Sequence, residues 1–390
     1  MQLNRPALLA TYVQLPFNVA RGEGVSIYDE SGKRYLDLYG GHAVSILGHS
    51  PRRVIDHITA AANNLFFYSN VAPFKAREQV AEELLDFAGG AFGGVFFCNS
   101  GAEANENALK LAIQLTGRSR IVALSGSFHG RSLLAACATD NAKWHQQLAD
   151  WKGEVGFIQP NYLPALSEIN RSTAAVILEP IQSIAGVIVL SNEYLKAVRA
   201  RCEEVGAFLI FDEVQTGLGR TGTPFVSHFS GVTPSMMTLA KGLGSGFPVG
   251  ALVVSEAIAA TVKMGDLGST FGGGPMACAA VQGTLETLRS EKICEHVQKV
   301  GEAIVANIHS PIIEEIRGRG LLVGLRVRAI PGVEKSAEWL QTKLLERGII
   351  TGTSGNKHVL RLLPPLIIDE QDVSQLASAI AEVESLVPTA

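Results

Sequence analysis

The chain has 390 residues, 47% hydrophobic and 18% charged, the balance of a globular protein and not of a disordered one. A net charge of −4 gives no electrostatic case for nucleic acid or an acidic membrane surface, and no apolar run reaches the roughly 18 residues a membrane span needs. Cys98, Cys137, Cys202, Cys278 and Cys294 are too scattered for a metal cluster, and an odd, sparse set points to a reducing compartment, so a cytoplasmic protein without a metal is expected.

The opening MQLNRPALLATY lacks an apolar core long enough for a secretory leader. GVSIYDESGKRYLDLYGG (24–41) reads as a hairpin about a turn at Glu30–Gly32. Five short Val/Ile/Leu/Phe/Met runs follow: GVFFC (94–98), RIVAL (120–124), AAVIL (174–178), AFLIF (207–211) and SMMTLA (235–240). Unbroken apolar runs of this length describe strands buried on both faces. Helical patterns such as EANENALKLAIQL (103–115) and NEYLKAVRARCEEVG (192–206) fall between them. Such alternation predicts an α/β fold, a mostly parallel sheet with helices on both faces. After residue 276 the pattern changes to a long helix-like segment (276–308), then IRGRGLLVGLRV (316–327), HVLRLLPPLII (358–368) and a closing amphipathic helix. The expected division is a large domain over 41–275 and a smaller α+β domain from 1–40 and 276–390.

In open α/β sheets ligands gather at the carboxyl ends of the strands. GVFFC is followed by NSGAEANENALK, where Ser100 is a natural N-cap with the small Gly101 and Ala102 behind it. A helix start of this kind offers backbone N–H groups to a phosphate, although an ordinary capped helix looks the same. RIVAL leads into SGSFHGRS, which sets Phe128 where it can stack on a flat ligand and Arg131 where its fork suits a carboxylate. His129 reads as a structural, hydrogen-bonding histidine. AAVIL runs to Glu179, AFLIF to Asp212 and SMMTLA to Lys241, one ionisable group per strand end. Buried charges must be paired or they shift their pKa, and lysine is almost never fully buried unpaired. A phosphate cradle, a stacking aromatic, a buried acid and a reactive lysine together match pyridoxal 5′-phosphate. Its aldehyde takes up a lysine amine, and its pyridine nitrogen needs an acidic partner.

The motifs resemble those of class III aminotransferases of fold type I, and within them the acetylornithine aminotransferases. They are SGAEANENALKLA (100–112), SFHGRS (127–132), LEPIQ (178–182), FDEVQTGLGRTG (211–222), LAKGLGSGFPVGA (239–251) and STFGGGPMACAA (269–280), with IRGRGLLVGL (316–325) and VLRLLPPL (359–366) further on. The resemblance implies that Lys241 holds the cofactor and shuttles the substrate proton, while Asp212 pairs with the pyridinium nitrogen. Gln215 would contact the ring's phenolic oxygen, and Val214 would lie under the ring opposite Phe128. Ser100, Gly101 and Ala102 would serve the phosphate, with Glu179 also lining the cofactor. Thr270 would reach the same phosphate from a second subunit, so at least a symmetric homodimer is implied. Ser269, Arg131 and Arg361 would face substrate, and Glu213 would be structural. The implied reaction is ping-pong transfer of an ω-amino group from N2-acetylornithine to 2-oxoglutarate, in arginine biosynthesis. Ornithine, succinylornithine, 4-aminobutyrate and carrier-linked lysine derivatives are the alternative donors.

Three positions depart from the resemblance. EPIQSIAG puts Ile184 where a glutamate is usual, and in relatives that glutamate can pair with the arginine matching Arg361. Arg361 would then stand free for a carboxylate in both half-reactions, which raises another acylated or carboxylated amine as donor. His42 stands where the subgroup commonly has an aliphatic residue, and Gly274 replaces an asparagine.

Overall fold

The computed structural model describes residues 9, 11–90, 92–148 and 154–387, so most of the opening stretch read as leaderless lies outside the described residues. Its central sheet has seven strands in the order Phe92–Cys98, Gly250–Ser255, Met236–Leu239, Phe208–Asp212, Thr173–Leu178, Arg120–Leu124 and Val155–Ile158. Gly250–Ser255 runs antiparallel to both neighbours, and the other strands run parallel to one another.

All five apolar runs are strands of this sheet; three of them, RIVAL, AAVIL and AFLIF, alternate between two cores, while Phe97, Met237 and Leu239 of the other two enter a third. Val122, Leu124, Val176, Leu178, Leu209 and Phe211 pack with the helix Asn192–Val205 through Tyr194, Leu195, Val198 and Cys202. Ile121, Ala123, Ala175, Ile177, Ile210 and Met236 pack with the helix Gly101–Thr116 through Ala108, Leu109, Leu111 and Ala112. A strand side chain changes face at every residue. Asp212, two residues past Ile210, therefore faces the helix Gly101–Thr116, and that parity brings its carboxylate to Asn105.

The hairpin forms between Ser26–Asp29 and Arg34–Asp37. Its turn is fixed by Asp29, whose Oδ1 accepts from the backbone N–H groups of Ser31 at 2.9 Å and Lys33 at 3.0 Å. Strand Val19–Glu23 adds to one edge of this small sheet, and Ile349–Ile350 pairs in parallel with Arg34–Asp37 at the other. A separate four-stranded sheet joins Ile313–Arg319, Leu322–Val327, Val359–Leu362 and Gly352–Thr353. The helix-like segment 276–308 is two helices, Pro275–Ser290 and Ile293–Asn307. Lys292 breaks them with a left-handed backbone, φ 50°. No helix among the described residues is long and apolar enough to cross a membrane.

One buried cation ties these pieces together. Arg220, 1% exposed, follows the turn after strand Phe208–Asp212. Its Nη1 donates to the carbonyls of Leu321 at 3.0 Å and Pro364 at 2.6 Å, and its own carbonyl accepts from the Leu321 N–H at 3.0 Å. Burial alone pushes its pKa down to about 9. Replacing Arg220 with alanine strips two buried carbonyls of a charged donor and should lower stability by about 3 kcal/mol in chemical denaturation. A loss under about 1 kcal/mol would show that the clamp contributes little more than an ordinary hydrogen bond.

Candidate active site

The strand ends open on a cavity of about 420 Å³. Ser100, Gly101, Ala102, Phe128, Arg131, Glu179, Asp212, Val214, Gln215 and Lys241 all line it. They arrive on five strand exits, those of Phe92–Cys98, Arg120–Leu124, Thr173–Leu178, Phe208–Asp212 and Met236–Leu239, as the sequence pattern predicts.

Asp212 is 3% exposed. Its Oδ2 lies 2.8 Å from Asn105 Nδ2 and 2.8 Å from His129 Nδ1, and its Oδ1 accepts from the Val214 N–H at 3.1 Å. Asn105 is itself fixed, because Thr238 Oγ1 donates to its Oδ1 at 2.6 Å and its Nδ2 also reaches the His129 carbonyl at 2.7 Å. His129 is thus structural in the sense expected, but the group it serves is the site's central carboxylate. Asn105 escaped the sequence reading altogether. The signal was a poor helix former at a buried position of an alanine- and leucine-rich helix, which implies a polar partner elsewhere.

Lys241 follows strand Met236–Leu239 in a left-handed conformation, φ 45°, and its Nζ donates to Gln215 Oε1. Burial drives its pKa down to about 8, against the opposing pull of Asp212 and Glu179. Glu179 moves the other way, raised by burial to about 7, with His129 as the largest influence lowering it. Its Oε1 accepts from the Phe128 N–H at 2.9 Å, which fixes the position of that aromatic ring. Arg131 sits outside on the same rim, its guanidinium 5.3 Å from the Phe128 ring centre and 5.6 Å from that of Trp144.

At the helix start Ser100 Oγ accepts from the Glu103 N–H at 3.2 Å, and Gly101 and Ala102, whose N–H groups precede the first intrahelical bond, line the cavity. A Cβ on Gly101 would fall 3.0 Å from a Val214 methyl, so the backbone is bare where it meets the cavity. A buried amine, a buried hydrogen-bonded carboxylate, an aromatic wall and a bare helix start fit pyridoxal phosphate in size and chemistry.

Three expected residues stand apart. Ser269 and Thr270 line a second cavity of about 880 Å³ with Asn70, Arg77 and Glu78. Asn99, on the wall of the first cavity, donates to Ser269 Oγ at 3.2 Å and marks where the two approach. Arg361 is buried, 7% exposed. It donates to the Thr353 carbonyl at 2.6 Å, to Ser183 Oγ at 2.9 Å and to the Tyr39 hydroxyl at 3.1 Å, all neutral acceptors. Two hydroxyls and a carbonyl thus orient the guanidinium, with no carboxylate paired to it among the described residues. Ile184, beside Ser183, lines the cavity as an apolar wall.

Known proteins place this arrangement. The family described as Aminotransferase class-III matches residues 9–383. An acetylornithine aminotransferase from Archaeoglobus fulgidus is 37% identical over 369 residues, covering 94% of this chain and 96% of that one. A [LysW]-aminoadipate semialdehyde/glutamate semialdehyde transaminase from Sulfurisphaera tokodaii is 35% identical, with 93% of each chain covered. The ornithine aminotransferase of Toxoplasma gondii, solved with PLP partly occupying its active site, superposes with a TM-score of 0.90 at 27% identity, over 98% of this chain and 92% of its own. Matched nearly end to end in sequence and in fold, with a lysine and an aspartate brought together at the strand ends, the chain belongs to the class III aminotransferases.

Proposed function

We propose that the chain moves the ω-amino group of N2-acetylornithine to 2-oxoglutarate in arginine biosynthesis, with pyridoxal 5′-phosphate in the Lys241 cavity. The observation that carries this reading is the pairing of a half-buried Lys241, its amine desolvated, with the buried Asp212 at the exits of two adjacent parallel strands. When bound, the cofactor supplies an aldehyde that takes up amines and a protonated ring that draws electrons from the carbon being deprotonated.

The protein's own residues do the rest. With its pKa lowered by burial, Lys241 presents a useful fraction of free amine near neutral pH. It would hold the cofactor through that aldehyde and, once displaced by the donor amine, would carry the proton from the donor's terminal amine-bearing carbon to the cofactor's former aldehyde carbon. Gln215 orients its Nζ. Asp212, gripped by Asn105 and His129, keeps the proton on the ring nitrogen. Phe128 and Val214 cover the two ring faces, Glu179 steadies Phe128, and Ser100, Gly101 and Ala102 meet the phosphate. Arg131 and Arg361 take substrate carboxylates beside Ser269. Over both half-reactions the donor's terminal CH₂–NH₂ becomes an aldehyde and the ketone of 2-oxoglutarate becomes the CH–NH₂ of glutamate, so amine and electrons balance.

In this reading the partner subunit's Thr270 completes the phosphate site. The exposed Phe66, Tyr68, Val71 and Phe271, close to the second cavity, support a homodimer across that face. The cofactor-binding domain spans 41–275, with 1–40 and 276–390 as the smaller one, and the enzyme works in the cytoplasm. Ile184 favours a second reading, another ω-aminotransferase of this class whose donor is ornithine, succinylornithine, 4-aminobutyrate or a carrier-linked lysine derivative.

The visible band of the holoenzyme should fall when N2-acetylornithine is added and recover with 2-oxoglutarate. A band indifferent to N2-acetylornithine but bleached by another of these donors would transfer the assignment to that donor. Loading of the cofactor-free protein needs the neutral amine of Lys241, whose folded pKa lies below its ordinary value. Its rate should therefore climb about tenfold per pH unit and level off near pH 8, where a lysine at its ordinary value would keep the rate climbing to about pH 10. His129→Ala leaves Asp212 with one fewer donor and should lower kcat by about ten- to a hundredfold while weakening cofactor retention. Unchanged kcat and retention would confine His129 to folding.

A further inference from the structure

The segment between the hairpin and the cavity is a turn of left-handed helix. Gly40, Gly41, His42 and Ala43 have φ of 55°, 56°, 67° and 62°. Ala43 N–H donates to the Tyr39 carbonyl and Val44 N–H to that of Gly40, both at 2.9 Å. Residues with a Cβ disfavour this backbone, although histidine enters it more readily than most. The surroundings over-determine it. Asp37 Oδ1 accepts from the N–H groups of Tyr39 and Gly40 at 2.9 Å each, and a Cβ on Gly40 would fall 2.9 Å from the Leu363 carbonyl oxygen. Glycine would fit position 42 without strain, yet an imidazole stands there. Strain of this kind is characteristic of functional sites, and the direction of inference runs from the outlier to the function.

The turn places the His42 ring 4.9 Å from that of Tyr39, inclined at 52°. The Tyr39 hydroxyl accepts from Arg361 at 3.1 Å, and Val44, two residues on, lines the cavity. His42 is exposed as a residue yet partly desolvated, and burial lowers its pKa first, followed by Arg361, Lys241 and Arg131. Asp37 pulls the other way. A neutral imidazole among cations serves as a hydrogen-bond donor to an uncharged oxygen. A free α-ammonium in the same corner would be repelled by Arg361 and Arg131, with the buried Asp37 the acid opposing them at His42, whereas an acylated nitrogen carries no charge and brings an amide oxygen.

We propose that His42 is a specificity-determining residue: held on this left-handed turn beside Tyr39 and Arg361, its ring N–H donates to the acyl oxygen of an N2-acylated donor and so selects it over the free diamino acid. The inference rests on the donor reading given above. Its test compares N2-acetylornithine with ornithine in the parent holoenzyme and in His42→Gly, which keeps the turn and removes the ring. The ratio of kcat/KM for N2-acetylornithine to that for ornithine should fall about three- to tenfold, mainly through KM. The KM for 2-oxoglutarate and the melting temperature should hold. His42→Asn, also tolerant of this backbone and carrying an N–H donor, should recover part of the ratio. An active parent whose ratio is unchanged in His42→Gly overturns the inference alone, as does an equal loss with both donors and the acceptor. A parent inactive with both donors overturns the donor reading and this inference with it.

Discussion

A buried carboxylate that must be hydrogen-bonded sets the terms for the rest of the site. Asp212 lies at the end of a strand covered on both faces, 3% exposed, where an unpartnered carboxylate would be costly. Three donors, from Asn105, His129 and the Val214 backbone, take the place of solvent. Each brings its own requirement. Asn105 must sit on the helix face that meets the strand, so the helix must begin at Ser100, and its amide must be turned the right way. The Asp212 carboxylate and the His129 carbonyl require the amide NH2 on their side, and the Thr238 hydroxyl completes that orientation by donating to the amide oxygen. The same helix start then lines the cavity with Gly101 and Ala102. One constraint therefore yields both ends of a cofactor site, the acid beneath and the anion cradle at the side.

Lys241 and Glu179 share the remaining charge problem and solve it in opposite senses. Burial discourages the ionised form of both, lowering the lysine and raising the glutamate, while their mutual attraction works against the shift. Near neutral pH neither is locked into one state. That would suit the roles proposed for Lys241, nucleophile at one moment and proton carrier at the next. Asp212 differs in having three donors, from Asn105, His129 and the Val214 backbone, arranged around its two oxygens.

The sequence was most legible where a single physical rule governed. Strands buried on both faces must be apolar throughout, and all five such runs are strands. Val155–Ile158, a four-residue edge strand interrupted by Gly156, lacked that signature, and Gly250–Ser255 followed directly on the glycine-rich stretch after Lys241. The break at Lys292 was invisible because helical periodicity continues on both sides of it. Residues at strand exits were legible one by one. Their partners were not: Asn105 meets Asp212 across 107 positions, Ser183 meets Arg361 across 178, and Tyr39 meets Arg361 across 322. No local pattern encodes such pairs; only the folded sheet brings them together.

Arg361 shows what that blindness concealed. The absence of a glutamate at 184 is plain in the sequence, but it does not leave the guanidinium loose. Two hydroxyls and a carbonyl orient it while leaving its charge uncancelled. A carboxylate partner would have oriented and neutralised it together, so that its attraction for substrate changed whenever the pair opened. In the proposed reaction that guanidinium would present the same positive charge to donor and to acceptor. Discrimination between them must then come from neutral hydrogen-bonding groups and shape. The side chains placed to supply it are Tyr39 and Ser183 on the guanidinium, Ile184 on the wall, and the histidine that the left-handed turn sets beside them.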